Sequence, residues 1–423
     1  MTTNLVHKNE KKNNLRTRLA AGILLLVAGL AIILLFGLHL KPGQLTTFGL
    51  TPQGDKNVIP IPDLVLPVQP AIYVLALVAF FVGGWQLARG IHSTGILAGV
   101  VAFCFVAAFL IWAARDNSMD LVGMMNTSLI RATPIALAAM CGVISERTAV
   151  INIGIEGIML VSALASVMGA TLLHNLYAGL LAGMLAGMIV AGLHAILCIK
   201  FKVDQIISGV AVNIIGTGAT SFISNRYMQL NLEKINNSGV FPNIPIPLLV
   251  KIPILGPVVF ENNIIVYIML LLVVFLYVLL FYTRWGLRTR AVGEHPKAAD
   301  TLGVNVYLTR YVNVILGGLI AGVGGAYFTI GSVGRFDKLM TAGKGFIGLA
   351  AMIFGNWNPI GALGSSLIFG FADSLQVKMQ ILKTPIPSEF LQMAPYIVTI
   401  IVLAGVVGRV HAPAADGAAY EKQ

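Results

Sequence analysis

Charge is scarce in this chain: Asp, Glu, Lys and Arg make up 11% of its 423 residues, where a soluble domain carries roughly 25%. Together with 57% hydrophobic residues and a mean hydropathy of +0.86, this excludes a water-soluble fold and predicts a polytopic membrane protein. Cysteine is scarce too. Cys104, Cys141 and Cys198 lie in apolar stretches without CxxC spacing, which excludes a disulfide framework and suggests no metal site. A GxxxxGK[ST] phosphate loop is missing: the nearest string, Ala342-Gly343-Lys344-Gly345, lacks both the leading glycine and the hydroxyl, so this chain is not its own ATPase. HExxH, GxSxG and paired carboxylates in a polar segment are also missing. No chemistry on a substrate and no cofactor held by this chain are therefore expected. The net charge of +11 does not point to nucleic acid, because the basic residues sit at the ends of apolar runs and form no aromatic-interleaved patch.

What is present is a series of apolar runs. Lys8, Lys11, Lys12, Arg16 and Arg18 precede an apolar stretch at 19–38, long enough to cross a bilayer and longer than a signal-peptide core. Further spans are predicted near 71–88, 94–114, 121–143, 153–173, 176–199, 206–224, 264–282, 311–330 and 393–407. A Pro-rich loop at 39–70 and a long polar loop at 225–263 are placed outside. The latter carries Pro242, Pro245, Pro247, Pro253 and Pro257 and is too broken for a helix interior. Within 345–375 the string Gly355-Asn356-Trp357-Asn358-Pro359-Ile360-Gly361 interrupts the apolar run. Two half-length or shorter helices meeting at a turn are predicted there, buried in protein or lining a polar cavity. Counting that segment as a return pass puts both termini in the cytoplasm, in line with the inside bias of Lys and Arg. The fold class is thus an all-α transmembrane bundle of about 10–11 spans including the broken one. Residues 1–18 form a basic cytoplasmic start, 19–408 the membrane domain and 409–423 a short tail. Glycines at GxxxG spacing, such as Gly183 and Gly187, and the run from Gly317 to Tyr327 let helices approach closely.

Two stretches stand out. Between apolar spans, 284–310 concentrates Arg284, Arg288, Arg290, Glu294, Lys297, Asp300 and Arg310, so it must sit in water. Its middle, Gly293 to Gly303, suits a short helix opened by Pro296 and closed by Gly303. Glu294, Lys297 and Asp300 would take the polar side, and Ala298, Ala299 and Leu302 would offer small apolar contacts. The second stretch is SERTAVINIGIEGIML at 145–160, where Glu156 opens an apolar helix. A carboxylate there needs a partner. Either Arg147 or the free amides of that first turn neutralise it and it holds the fold, or Glu156 and Asn152 line a translocation path or gate. Asn213, inside another apolar run, either ties helices together or touches a polar solute, and Asn356 in the broken segment joins the path candidates. Arg131, before Pro134, is expected to snorkel near an outer helix end. His174 and His194 have no partner at metal-ligand spacing.

These strings together resemble a known family. AVGEHPKAADTLGVN is similar to the coupling loop of ABC-importer permeases. SERTAVINIGIEGIML, with RATP at 131–134 and Asp204 followed by SGVAVNIIG, resembles permeases of the branched-chain amino acid, ribose and nucleoside superfamily, the nucleoside branch above all. The match covers most of the chain from Leu121 to Gly408 and is less distinct in the first three spans and the loop before Pro70. The resemblance implies an ABC importer permease that takes up nucleosides, with sugars such as ribose as the alternative solute. It makes Gly293, Glu294, Pro296, Ala298, Ala299 and Gly303 the residues that dock on a cytoplasmic ATPase, which would hold the ATP and Mg. The other implied partners are a second homologous permease or a second copy of this chain, an extracellular substrate-binding lipoprotein, and membrane lipid of the cell membrane. An ion-coupled secondary transporter is the rival class. It is disfavoured because Glu156 is the one intramembrane ionisable group that stands out as a coupling site.

Overall fold

The computed structural model describes residues 18–38, 40–52, 58–90, 94–382 and 411–422, with 387, 390 and 393 between them. Among these described residues, ten helices are long and apolar enough to cross a membrane. The span expected at 393–407 lies outside the described residues, as does nearly all of the loop before it. The chain divides into two compact units, one of residues 1–123 and 376–391 and the other of 124–375 and 392–423.

In the first unit, α1 (Arg18–Gly37), α2 (Val68–Arg89) and α3 (Thr94–Ala113) are the apolar runs read from the sequence. Arg18 turns its guanidinium onto the carbonyls of Gln86 and Leu87, placing a cation on the last turn of α2, where free carbonyls carry partial negative charge. The segment at 39–70 is not a plain loop. Strand β1 (Leu45–Gly49) pairs antiparallel with β2 (Leu64–Pro67) and parallel with β3 (Ser118–Asp120), so backbone groups that follow the helix ends find partners.

The second unit holds the longer bundle. Helix α4 (Leu121–Glu146) carries Pro134 inside it and is almost wholly buried from Ala132 onward. It is followed by α5 (Ile155–Leu173), α6 (Leu176–Ala195, extended by a π-turn to Lys200) and α7 (Gln205–Ile223). Asn175 caps α6 by accepting from Tyr177 N, and Asp204 caps α7 by accepting from Ile206 and Ile207 N, so two helix starts are written as local polar residues. The loop at 225–263 is more ordered than its prolines predict. It contains α8 (Leu232–Ile235), a 3-10 turn at Leu249–Lys251, α9 (Leu255–Val259), and the antiparallel pair β4 (Asn243–Pro245) and β5 (Glu261–Asn263).

The chain continues through α10 (Ile264–Tyr282), α11 (Arg284–Glu294), α12 (Pro296–Thr301) and α13 (Val306–Phe328). Helices α6 and α13 meet at the glycines singled out by spacing. A Cβ on Gly187 would lie 2.3 Å from the Gly318 carbonyl oxygen, and one on Gly322 would lie 2.6 Å from the Gly183 carbonyl oxygen. The two backbones therefore touch, and only glycine fits. The broken segment resolves into α14 (Lys344–Phe354) and α15 (Pro359–Ile381) around a turn at 355–358. The break is as predicted, but α15 is a full 23-residue helix and not a half helix. Asn356 and Trp357 take positive φ values of 55° and 50° in that turn.

Candidate functional site

The polar loop folds as two consecutive helices separated at His295. Thr283 accepts the Gly286 N–H at 3.1 Å to start α11. Gly293 and Glu294 end α11, so the short helix is Pro296–Thr301 alone. Pro296 occupies its first turn, His295 Nδ1 accepts the Ala298 N–H at 3.1 Å, and Gly303 leaves it at φ +82°. Both expected boundaries are met, for the expected reasons: proline lacks a donor that would be orphaned there, and glycine tolerates a left-handed exit.

The faces differ from expectation. Ala299 is 3% exposed and packs with Val292, Val306 and Tyr420 of its own chain, so it does not share an outward face with Ala298 and Leu302. Lys297, Ala298 and Thr301 are exposed, and Leu302 is 86% exposed. Gly293 lies under the carbonyl of Arg147, where a Cβ would come within 2.3 Å of that oxygen. Arg147 reaches the opposite way, donating through Nε to the Trp357 carbonyl at 2.9 Å and through Nη2 to that of Asn356 at 3.3 Å. Burial pushes its guanidinium below the usual range, and Glu294 counters this. Arg147 therefore joins the end of α11 to the turn between α14 and α15.

Each of the four path candidates has its own set of partners. Glu156 Oε1 accepts from the Thr341 hydroxyl at 2.5 Å and from Gly343 N–H at 2.9 Å, while Oε2 accepts from Gly345 N–H at 2.7 Å. It caps α14, so neither Arg147 nor the first turn of its own helix is the partner. Asn213 Oδ1 accepts Gly157 N–H at 2.8 Å, and its Nδ2 donates to the Ile153 carbonyl at 2.9 Å, tying α7 to the start of α5 as the cross-helix reading expects. Asn152 is fully buried, with its Nδ2 3.7 Å from Cys141 Sγ. Asn356 is exposed at the helix break, where its Oδ1 accepts the His411 N–H at 3.0 Å.

A family model for the branched-chain amino acid transport system / permease component matches residues 124–403. The chain belongs to this permease family. It is 42% identical to the guanosine ABC transporter permease protein NupQ of Bacillus subtilis, over 72% of this chain and 99% of NupQ. It is 41% identical to the nucleoside ABC transporter permease protein NupC of Lactococcus lactis, over 72% of this chain and 98% of NupC. A glucose ABC transporter permease protein of Haloferax volcanii, TsgB13, is 27% identical over 66% of this chain and 78% of its own length. No solved structure matches the chain. The protein is thus an ABC-transporter permease, a multi-pass membrane subunit whose job is translocation. The family match begins one residue after the first structural unit's main segment ends at Gly123.

Sequence reasoning missed several functional-looking groups of the permease. Lys344 and Asp373 form an ion pair between α14 and α15 with little exposure, so Glu156 does not stand alone as an ionisable group in apolar helices. The signal was there, since each is a charge in an apolar run. Arg131 does not sit at a free helix end: it is half-buried well inside α4, and its Nε has no partner among the described residues. At the end of α4, Glu146 accepts the Trp357 indole N–H at 2.6 Å.

Burial pushes the Asp416 carboxyl up to about 6, against a backbone hydrogen bond from Gly417 and the Arg310 charge, which pull it down. A carboxyl raised on seating binds a proton as the tail docks. Docking is thus strongest below the free value near 3.8, weakens as pH rises through 6, and stays weak above it. The hydrogen-exchange protection of the Ala415 amide, which donates to the Gly293 carbonyl at 3.0 Å, is expected to fall severalfold, to about tenfold at most, between pH 5 and 7.5. Asp416→Asn should flatten that dependence, with Glu146 and Arg310 still in place.

Proposed function

We propose that this permease is the membrane subunit of an ATP-driven importer of nucleosides. The exposed, six-residue α12, held between Pro296 and Gly303 on a water-facing loop, carries this reading, since it offers a rigid apolar knob at Leu302 to a groove on a cytoplasmic ATPase. ATP and Mg belong to that ATPase. The names of the guanosine and nucleoside relatives support the substrate class, and the match over nearly the whole length of those relatives supports a shared transport unit. A second permease chain would complete the route, and an extracellular binding lipoprotein would deliver the solute. Both termini and α11–α12 lie in the cytoplasm on this reading, with the 225–263 loop outside.

The arrangement suits a two-state transporter. A displacement of α12 reaches the α14–α15 turn through Gly293, Arg147 and the carbonyls of Asn356 and Trp357, and α14 is held at its other end by Glu156. A tug on α12 therefore acts on the helices around the break. In cells expressing the complete importer, uptake of labelled guanosine should persist when ion gradients are collapsed and stop when ATP is exhausted. Unlabelled nucleosides should compete and ribose or glucose should not. Competition by sugar alone would transfer the reading to the sugar class that the Haloferax relative represents, and uptake that follows an ion gradient would overturn it.

A further inference from the structure

The carboxy-terminal tail looks dispensable by composition, yet it is built into the end of the bundle that carries α11 and α12. Pro413 and Tyr420 are buried. Ala415 N donates to the Gly293 carbonyl at 3.0 Å, and Ala414 N to Glu294 Oε2 at 3.3 Å. Arg310 of α13 donates to the Ala418 carbonyl at 3.1 Å. Tyr420 packs edge-on against Tyr307 at 5.3 Å and sits against Ala299 of α12, and its carbonyl accepts the Tyr307 hydroxyl at 3.4 Å. Lys202, between α6 and α7, pairs with Glu421. At the tail's other end the His411 N–H reaches Asn356 in the α14–α15 turn.

A free terminal segment of Ala, Gly and Pro gains nothing from being ordered unless its contacts outweigh the lost conformational freedom. Here the tail touches α11, α12, α13, Lys202 and the α14–α15 turn, with Tyr420 near one end on α12 and His411 at the other on the helix break. A clamp meant only to hold the bundle together would have no need to end on those two elements, which are the input and the candidate output of the coupling motion.

We infer that residues 411–422 form a brace that carries displacement of α12 to the α14–α15 turn, with Tyr420 and Asn356 as its positioning residues at the two ends. The inference rests on α12 being the ATPase dock. It adds that the dock alone is insufficient, and that a second link, made by the chain's own tail, sets how much transport each hydrolysis event drives.

The test uses the complete importer in proteoliposomes and reads three quantities: ATPase co-purification, hydrolysis rate, and nucleoside uptake per ATP. Tyr420→Ala should leave co-purification and hydrolysis within about twofold of the parent and lower uptake per ATP at least fivefold. Tyr420→Phe keeps the ring that packs on Ala299 and Tyr307, and should restore most of that coupling. Asn356→Gly is the independent arm. Glycine accepts the positive φ of the turn, so the fold survives while the acceptor for His411 is removed, and uptake per ATP should fall about threefold. Parent-level coupling in both Tyr420→Ala and Asn356→Gly would overturn the brace, as would loss of co-purification in step with uptake, which would make the tail part of folding or docking. Failure of the underlying reading looks different: there, altering the outward face of α12 would leave the ATPase bound.

Discussion

Replacing Glu156 with alanine is expected to remove most folded permease from the membrane. Its carboxylate takes three hydrogen bonds, from the Thr341 hydroxyl and from the amides of Gly343 and Gly345, where α14 begins inside the protein. A helix start carries unpaired N–H groups and partial positive charge. Alanine would leave those donors buried without a partner, at about 1–3 kcal/mol for each. The sum is a sizeable fraction of the roughly 5–15 kcal/mol by which a whole domain is stable. Glu156→Gln keeps one carbonyl oxygen facing the cap and should fall between the two, with detectable but reduced folded protein. The measure is monodisperse protein recovered by size-exclusion chromatography, with the thermal midpoint of whatever remains. Should Glu156→Ala be recovered at parent yield and stability while transport is lost, the side chain belongs to the solute route and its capping bonds are incidental.

Glu156 also shows what a sequence can and cannot disclose. That a carboxylate in an apolar helix must have a partner follows from electrostatics alone, and the partner exists. Its identity does not follow, because the cap it serves lies 185 residues away or more, in a segment whose return into the bundle depends on the break at 355–358. Features fixed by short stretches were legible: the apolar spans, the proline and glycine ends of α12, and the turn at Gly355. The Gly183 and Gly187 spacing was legible as a contact surface, though not that Gly318 and Gly322 would meet it.

What was lost depends on contacts that no local pattern encodes. A helix of six residues is too short to display a periodic face, so Ala299 was placed outward with Ala298 although it points into the core. The tail carries no periodicity either. Its order comes from Gly293, Arg310 and Tyr307, which belong to other elements, and not from its own composition. Residues 1–123 matched the family least distinctly as sequence, and the family model indeed begins at residue 124, so the first three helices have a reading as membrane spans and little more. The Lys344–Asp373 pair has no local signature, because a charge in an apolar run is readable only when its opposite is sought in another run.

The outward face of α12 gives the sharpest functional expectation. Leu302 is 86% exposed on a loop that must sit in water. An isolated apolar side chain at the end of a rigid helix, just before the left-handed Gly303, is a natural anchor for a partner's pocket. Burying a leucine stabilises a contact by about 1.5–3 kcal/mol, and about 1.4 kcal/mol corresponds to tenfold in affinity. Leu302→Asp both removes that contribution and brings a charge that the pocket must desolvate. It should weaken ATPase association about 100-fold or more while leaving the permease folded, because so exposed a side chain supports little of its own chain. Ala299→Trp makes the contrast. An indole cannot fit among Val292, Val306 and Tyr420, and overpacking of that kind costs about 1–3 kcal/mol, so it should lower the permease's own stability together with ATPase binding. Leu248→Asp is the control, since Leu248 is 78% exposed in the 225–263 loop, on the opposite side of the membrane in the proposed topology. It should bind the ATPase like the parent. If Leu302→Asp binds as tightly as Leu248→Asp, α12 is a connector and the ATPase docks elsewhere on the permease.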